Sequence, residues 1–263
     1  MQLSRFTGST AFSVSAPHRR CPTRASRPAL RTQAASGYEL DPDNASILVA
    51  GGGGVALHVT RRLKNMGSWV WQLQRTDVRR KEIEGMMAIV AKGDALVPAD
   101  LEKVMASIEE VDAVVCTLGG STANPEVDSQ GNINMIQAAL KKGVKKFVLV
   151  TSLGCGETKD AIGEKVYSVL KPVLVEKDKA EAALMAQDQM AWTIIRPGGL
   201  TNDPASNTGV LTESVQVAGS IGRDDVALLA VKALFSKKAD GKVLSAVDSN
   251  KLYGTPTYEP FKP

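Results

Sequence analysis

The chain has 263 residues, 43% hydrophobic and 23% charged, an ordinary composition for a globular protein and one that excludes disorder over most of the length. No apolar run approaches the roughly 20 residues a membrane-spanning helix needs. The net charge of +4 is unevenly placed, and its distribution excludes more than its value does.

Residues 1–36 hold six arginines (Arg5, Arg19, Arg20, Arg24, Arg27 and Arg31), ten serines or threonines, and no lysine, aspartate or glutamate. An Arg-rich, Ser-rich, acid-free leader without a continuous apolar core reads as an organelle transit peptide, closer in composition to the chloroplast type, with processing expected near Gln33–Gly37. The alternative is a basic arm for nucleic acid or membrane. Without those six arginines, 26 of the 32 basic residues remain against 28 acids, a net charge of −2. That balance disfavours nucleic acid as a partner. Cys21 and His18 leave with the leader, so Cys116, Cys155 and His58 remain. Neither a disulfide framework nor a metal centre is expected from them.

Residues 37–45 form a polar lead-in, and 46–263 a single domain. Ser46–Ala50 reads as a buried strand, and Val55–Asn65 as a helix with Gly67 past its end. Strands are predicted over Trp69–Arg75 and Ala88–Ala91, a helix over Pro98–Ile108 and a strand over Ala113–Leu118. A helix over Val127–Lys142 ends at Gly143. A strand over Phe147–Thr151, a helix over Val173–Gln187 and a strand over Trp192–Arg196 follow. Thr201–Gly219 is polar and loop-like, suited to a substrate or partner surface. A helix over Asp225–Phe235 and a strand over Val243–Val247 complete the chain. Strands without polar alternation, separated by helices, indicate a doubly wound parallel α/β sheet.

Gly51–Gly54 leaves the first strand and enters the first helix, where glycines bring backbone N–H groups close to a phosphate. Leu57 stands where a third glycine is usual. At the end of the second strand Arg75 favours a 2′-phosphate, hence NADP over NAD. The bland alternative is a solvated basic turn with Asp77 as its partner.

These residues, together with Gly93-Asp94, Thr117-Leu118-Gly119, Thr151-Ser152, Lys177-x-x-x-Glu181, TIIRPGGL (Thr193–Leu200) and GRDDVA (Gly222–Ala227), resemble the atypical short-chain dehydrogenase/reductases with NmrA-like NAD(P)H-binding domains. That group includes the dehydrogenase-like subunit of the chloroplast inner-envelope translocon. The resemblance implies a Rossmann fold, a bound dinucleotide and a plastid address. It places Gly51, Gly53, Gly54 and Val55 at the pyrophosphate, Arg75 at the adenosine ribose or its 2′-phosphate, and Asp94 and Ala95 by the adenine. Thr117, Leu118, Gly119 and Thr151 fall on the nicotinamide side. Lys177 is placed on the nicotinamide ribose, and Pro197 and Gly198 close the pocket.

Related reductases carry a tyrosine four residues before the active lysine, to donate a proton to a carbonyl. Here that place is Val173, and Tyr167 precedes the predicted helix at the wrong spacing. Lys177 and Ser152 are the remaining catalytic candidates. The function expected is a plastid NADP-preferring oxidoreductase on a small molecule, or else a catalytically weak redox sensor or docking factor. Cys116 reads as packing and Cys155 as a small inert residue. The Lys141, Lys142, Lys145 and Lys146 cluster at a helix C-terminus reads as structural.

Overall fold

The computed structural model describes residues 39–263. The expected transit peptide and the start of the lead-in fall outside the described residues.

Strand β1 (Ser46–Ala50) and helix α1 (Gly54–Asn65) are followed by β2 (Trp69–Gln74), α2 (Arg80–Gly85), β3 (Ile89–Lys92), α3 (Pro98–Ser107) and β4 (Ala113–Cys116). Helix α4 (Asn132–Lys142), β5 (Lys146–Val150), α5 (Glu164–Met185) and β6 (Ala191–Pro197) come next. The remainder is β7 (Gly199–Thr201), β8 (Gly209–Thr212), β9 (Ser220–Gly222), α6 (Arg223–Leu234) and β10 (Lys242–Asp248). The main sheet runs β3-β2-β1-β4-β5-β6-β10-β8. Every pairing in it is parallel except β8 with β10 at the edge.

The unalternated strand pattern has a direct cause: both faces are covered. In β1, Ile47 and Val49 join a cluster with Leu57, Leu63, Val226 and Ala230, between the sheet and α1/α6. Leu48 and Ala50 point the other way, into a cluster with Leu101, Met135, Phe147 and Leu184 under α3, α4 and α5. Successive side chains of a strand alternate in direction, so a strand buried on both faces reads as uniformly apolar.

Four local features differ from the sequence reading. Residues Val127–Gly131 form a wider, π-helical turn before α4. Helix α5 begins at Glu164 rather than Val173, with Pro172 inside it. Proline usually interrupts a helix, which is why the pattern predicts a later start; Tyr167 therefore lies within α5, its ring under Lys159 Nζ at 4.7 Å. Helix α2 is short and carries one buried side chain, Ile83, too little for a periodic signal. The stretch expected to be loop-like contains β8, which lies antiparallel on β10, while β7 and β9 pair with each other as a separate two-stranded sheet.

The lysine cluster is structural. Lys141 pairs with Glu102, Lys145 with Glu110 and Asp112, and the buried Lys146 with Asp240 at 2.6 Å. Gly143, with φ 78°, caps α4 in the left-handed conformation.

Candidate functional site

The strand order reverses between β1 and β4, and open α/β sheets leave a ligand crevice at the carboxyl ends of strands there. Gly51, Gly52 and Gly53 occupy that position. Gly51 has φ 144°, and a side chain on it would collide with Thr117 Oγ1. Its carbonyl is held by the amides of Gln72 and Gln74 on β2 at 3.0 and 2.9 Å. Thr60 Oγ1 in turn donates to Gln72 Oε1 at 2.9 Å. The two glutamines were missed by sequence reasoning; their signal was two polar residues in a strand whose other residues are apolar.

Above Gly53 the space is open: nothing lies within 4 Å of where a Cβ would stand. Gly53 is extended, no side chain caps α1, and its first turn holds no acid. The N-terminal N–H groups of α1 are thus left for an anion. Gly54 packs against the Arg223 stem. Val55 turns its side chain into the core and offers only its backbone to the loop. Leu57 fills the core on the same side, so the helix packs through leucine where a glycine is usual.

Arg75 follows β2 with its side chain 67% exposed and Nη1 4.0 Å from Asp94 Oδ2. Asp77 is not its partner. That carboxylate is shared by Arg80 and Lys92, each at 2.9 Å, whose hydrogen bonds hold it below the usual range. Asp94 accepts the Leu96 N–H at 2.9 Å, and the buried Ala95 offers its carbonyl to Asn134.

Beyond β4, Thr117 N–H bonds the Ala50 carbonyl at 2.8 Å, and Leu118 and Gly119 follow. Lys177 Nζ and Asp128 Oδ1 both lie beside Gly119, 3.6 and 3.4 Å from where its Cβ would stand. They pair with each other at 2.6 Å, with side chains 12% and 1% exposed. The second Asp128 oxygen accepts the Gly120 N–H at 2.9 Å. Asp128 was also missed, because a lone acid in a polar stretch carries no pattern.

Glu181 does not pair with Lys177, as the helical spacing allowed. It is buried, receives the Thr151 hydroxyl at 2.6 Å, and takes both Nε and Nη2 of Arg196 at 3.1 and 2.5 Å. Thr151 is therefore engaged beneath the crevice. Ser152 Oγ donates to the Leu153 carbonyl at 2.9 Å. Pro197 ends β6, and Gly198 bonds the Ala246 carbonyl at 2.9 Å while lying too close to the Gly219 backbone to carry a side chain. Val173 is half-buried one turn before Lys177 on α5.

Cys116 and Cys155, the cysteines among the described residues, are both buried. Burial pushes the Cys116 thiol up to about 12, with its Sγ on Asn132 Oδ1 at 3.0 Å. Burial also raises the Cys155 thiol. Among the described residues, no group of three or more His, Cys, Asp or Glu is placed to hold a metal ion, and no helix is long and apolar enough to cross a membrane.

An uncapped helix N-terminus behind a clamped glycine turn, at the reversal point of a parallel sheet, defines a Rossmann-type dinucleotide-binding protein. The chain belongs to the NAD(P)H-binding family, whose model matches residues 51–237. It is 32% identical over 197 residues to the uncharacterized sugar epimerase YhfK of Bacillus subtilis, across 72% of this chain and 86% of that one. Chloroplastic proteins are among its relatives. One is the chloroplastic protein TIC 62 of Oryza sativa, 28% identical over 256 residues, across 84% of this chain and 50% of that protein. Among solved structures, a putative NAD-dependent epimerase/dehydratase from Bacillus halodurans is similar with a TM-score of 0.68 and 27% identity, across 78% of this chain and 94% of that one.

Proposed function

We propose that this chain is a plastid oxidoreductase that prefers NADP and acts on a small molecule, with Lys177 as its proton-bearing group. The acid-free leader and the chloroplastic relatives support the plastid address. The observation that carries the catalytic reading is Lys177 Nζ beside Gly119, held by Asp128 at 2.6 Å.

The residues present fit a dinucleotide. The space above Gly53 and the free N–H groups of α1 suit the pyrophosphate. Arg75, largely exposed and, among the described residues, met only by a carboxylate 4.0 Å away, is available to a 2′-phosphate. Asp94 and Ala95 flank the adenine position, while Thr117, Leu118, Gly119, Pro197 and Gly198 wall the nicotinamide side. When bound, the nicotinamide supplies the hydride. The chain supplies orientation and the proton. Asp128 keeps the Lys177 ammonium in place. That ammonium can then hold a ribose hydroxyl or donate to a substrate oxygen, the task a tyrosine would otherwise serve. Ser152, whose hydroxyl is turned to a carbonyl, has a secondary part in positioning substrate.

Val173 favours a second reading, a nucleotide-bound sensor or docking factor without turnover, because no phenol stands one turn before Lys177. The test is NADPH consumption by the full chain across a panel of small carbonyl and enone compounds. The first reading expects turnover that Lys177→Met lowers about hundredfold while binding of adenosine 2′-phosphate, which lacks the nicotinamide ribose, is retained. NADPH binding with no turnover across the panel supports the second.

A further inference from the structure

We propose that Arg223 anchors the pyrophosphate of the dinucleotide. The inference rests on the dinucleotide reading above and adds a binding residue to it.

Arg223 is the first residue of α6, yet its side chain reaches the start of α1. Its Cδ lies 2.9 Å, and its Nε 3.6 Å, from the position a Cβ on Gly54 would take. The guanidinium is steered by Asn202 Oδ1 at 2.7 Å and the Leu200 carbonyl at 3.5 Å, both uncharged. The acids that follow it in sequence are turned away. Asp224 pairs with Arg62 at 2.7 Å and faces His58 at 3.5 Å. Asp225 is buried and takes the Ser206 and Asn207 N–H groups, each at 2.9 Å. Among the described residues Arg223 thus has no carboxylate partner.

A cation set against the positive end of a helix is unfavourable by itself. Here that end also lacks a side-chain cap and an acid in its first turn. The arrangement becomes favourable when an anion lies between the guanidinium and the N–H groups that follow Gly53. A pyrophosphate suits it: it carries more than one charge, and a guanidinium engages it through two parallel hydrogen bonds. The loop is bracketed accordingly. Gly52 lies against Gln74 of β2 and Gly54 against Arg223. Arg75 beyond β2 serves the adenosine end, and Arg223 on the other flank serves the phosphates.

The test is calorimetric titration of the full chain and its Arg223→Ala and Asn202→Ala variants with NADPH, ADP-ribose and adenosine 2′-phosphate. Arg223→Ala is expected to weaken NADPH and ADP-ribose about tenfold or more, a change on the order of 1.4 kcal/mol or more, and to leave adenosine 2′-phosphate unchanged. Asn202→Ala, which frees the guanidinium without removing its charge, is expected to keep all three affinities within about threefold. Unchanged ADP-ribose affinity in Arg223→Ala overturns the inference. So does equal weakening of all three ligands in both variants, which marks a structural role. A parent chain that binds none of the ligands overturns the dinucleotide reading itself.

Discussion

Lys177 Nζ lies 2.6 Å from Asp128 Oδ1, and Asp128 is almost wholly enclosed. The pair joins α5 to the π-helical turn beside the exit of β4. Removing one partner of a buried ion pair leaves an uncompensated charge, at about 3–5 kcal/mol. Lys177→Met strands the more deeply buried carboxylate and is expected to destabilise more than Asp128→Asn, which keeps an acceptor for the Gly120 N–H. Urea denaturation of both variants checks the order. Equal stability to the parent chain would mean the pair is open to water.

A second buried pair predicts a purely structural effect. Glu181 holds Arg196 and Thr151 together below the crevice. Glu181→Gln is expected to destabilise by about 3 kcal/mol. Where the variant remains folded, its NADPH affinity should stay near the parent value. Paired urea and NADPH titrations separate the two effects.

The glycines of the turn divide into those the fold needs and one the ligand needs. Gly51→Ala clashes with Thr117 at a φ few side chains adopt, so both stability and nucleotide binding should fall. Gly53→Ala meets no protein atom within 4 Å; stability should hold while the added methyl enters the pyrophosphate space and binding drops by about tenfold. Thermal melts beside nucleotide titrations distinguish the two. A Gly53→Ala variant with full affinity would place the phosphates elsewhere.

The thiols give a pH prediction. Burial raises both the Cys116 and Cys155 thiols, so each stays protonated well above neutrality, and the thiolate is the reactive form. Alkylation of these two residues in the native chain, mapped by peptide mass, is expected to stay negligible from about pH 7 to 9 and to become rapid only on unfolding. Rapid native labelling of Cys155 would indicate an accessible redox thiol.

The order and type of the long elements were legible in sequence because both faces of the sheet are buried and the central strands β1, β4 and β5 are almost wholly apolar. The glycine turn was legible because backbone constraint selects glycine. What escaped was set by tertiary contact. Asp128 and the Gln72–Gln74 clamp act on partners distant in sequence. Glu181 is four residues from Lys177, yet packing turns it inward to Arg196. Strands β7, β8 and β9 are each three or four residues long and depend on pairing with neighbours, so their own residues carry little pattern. Pro172 concealed the first two turns of α5, which continues through the proline.

The central claim, an NADP-preferring dinucleotide site with Arg75 at its adenosine end, is tested most directly by titrating the full chain and its Arg75→Ala variant with NADPH and NADH while following nucleotide fluorescence. The parent chain is expected to bind NADPH about tenfold more tightly than NADH or better, and Arg75→Ala to remove the preference by weakening NADPH while leaving NADH unchanged. Equal affinities in the parent chain, or a preference that survives Arg75→Ala, would contradict it.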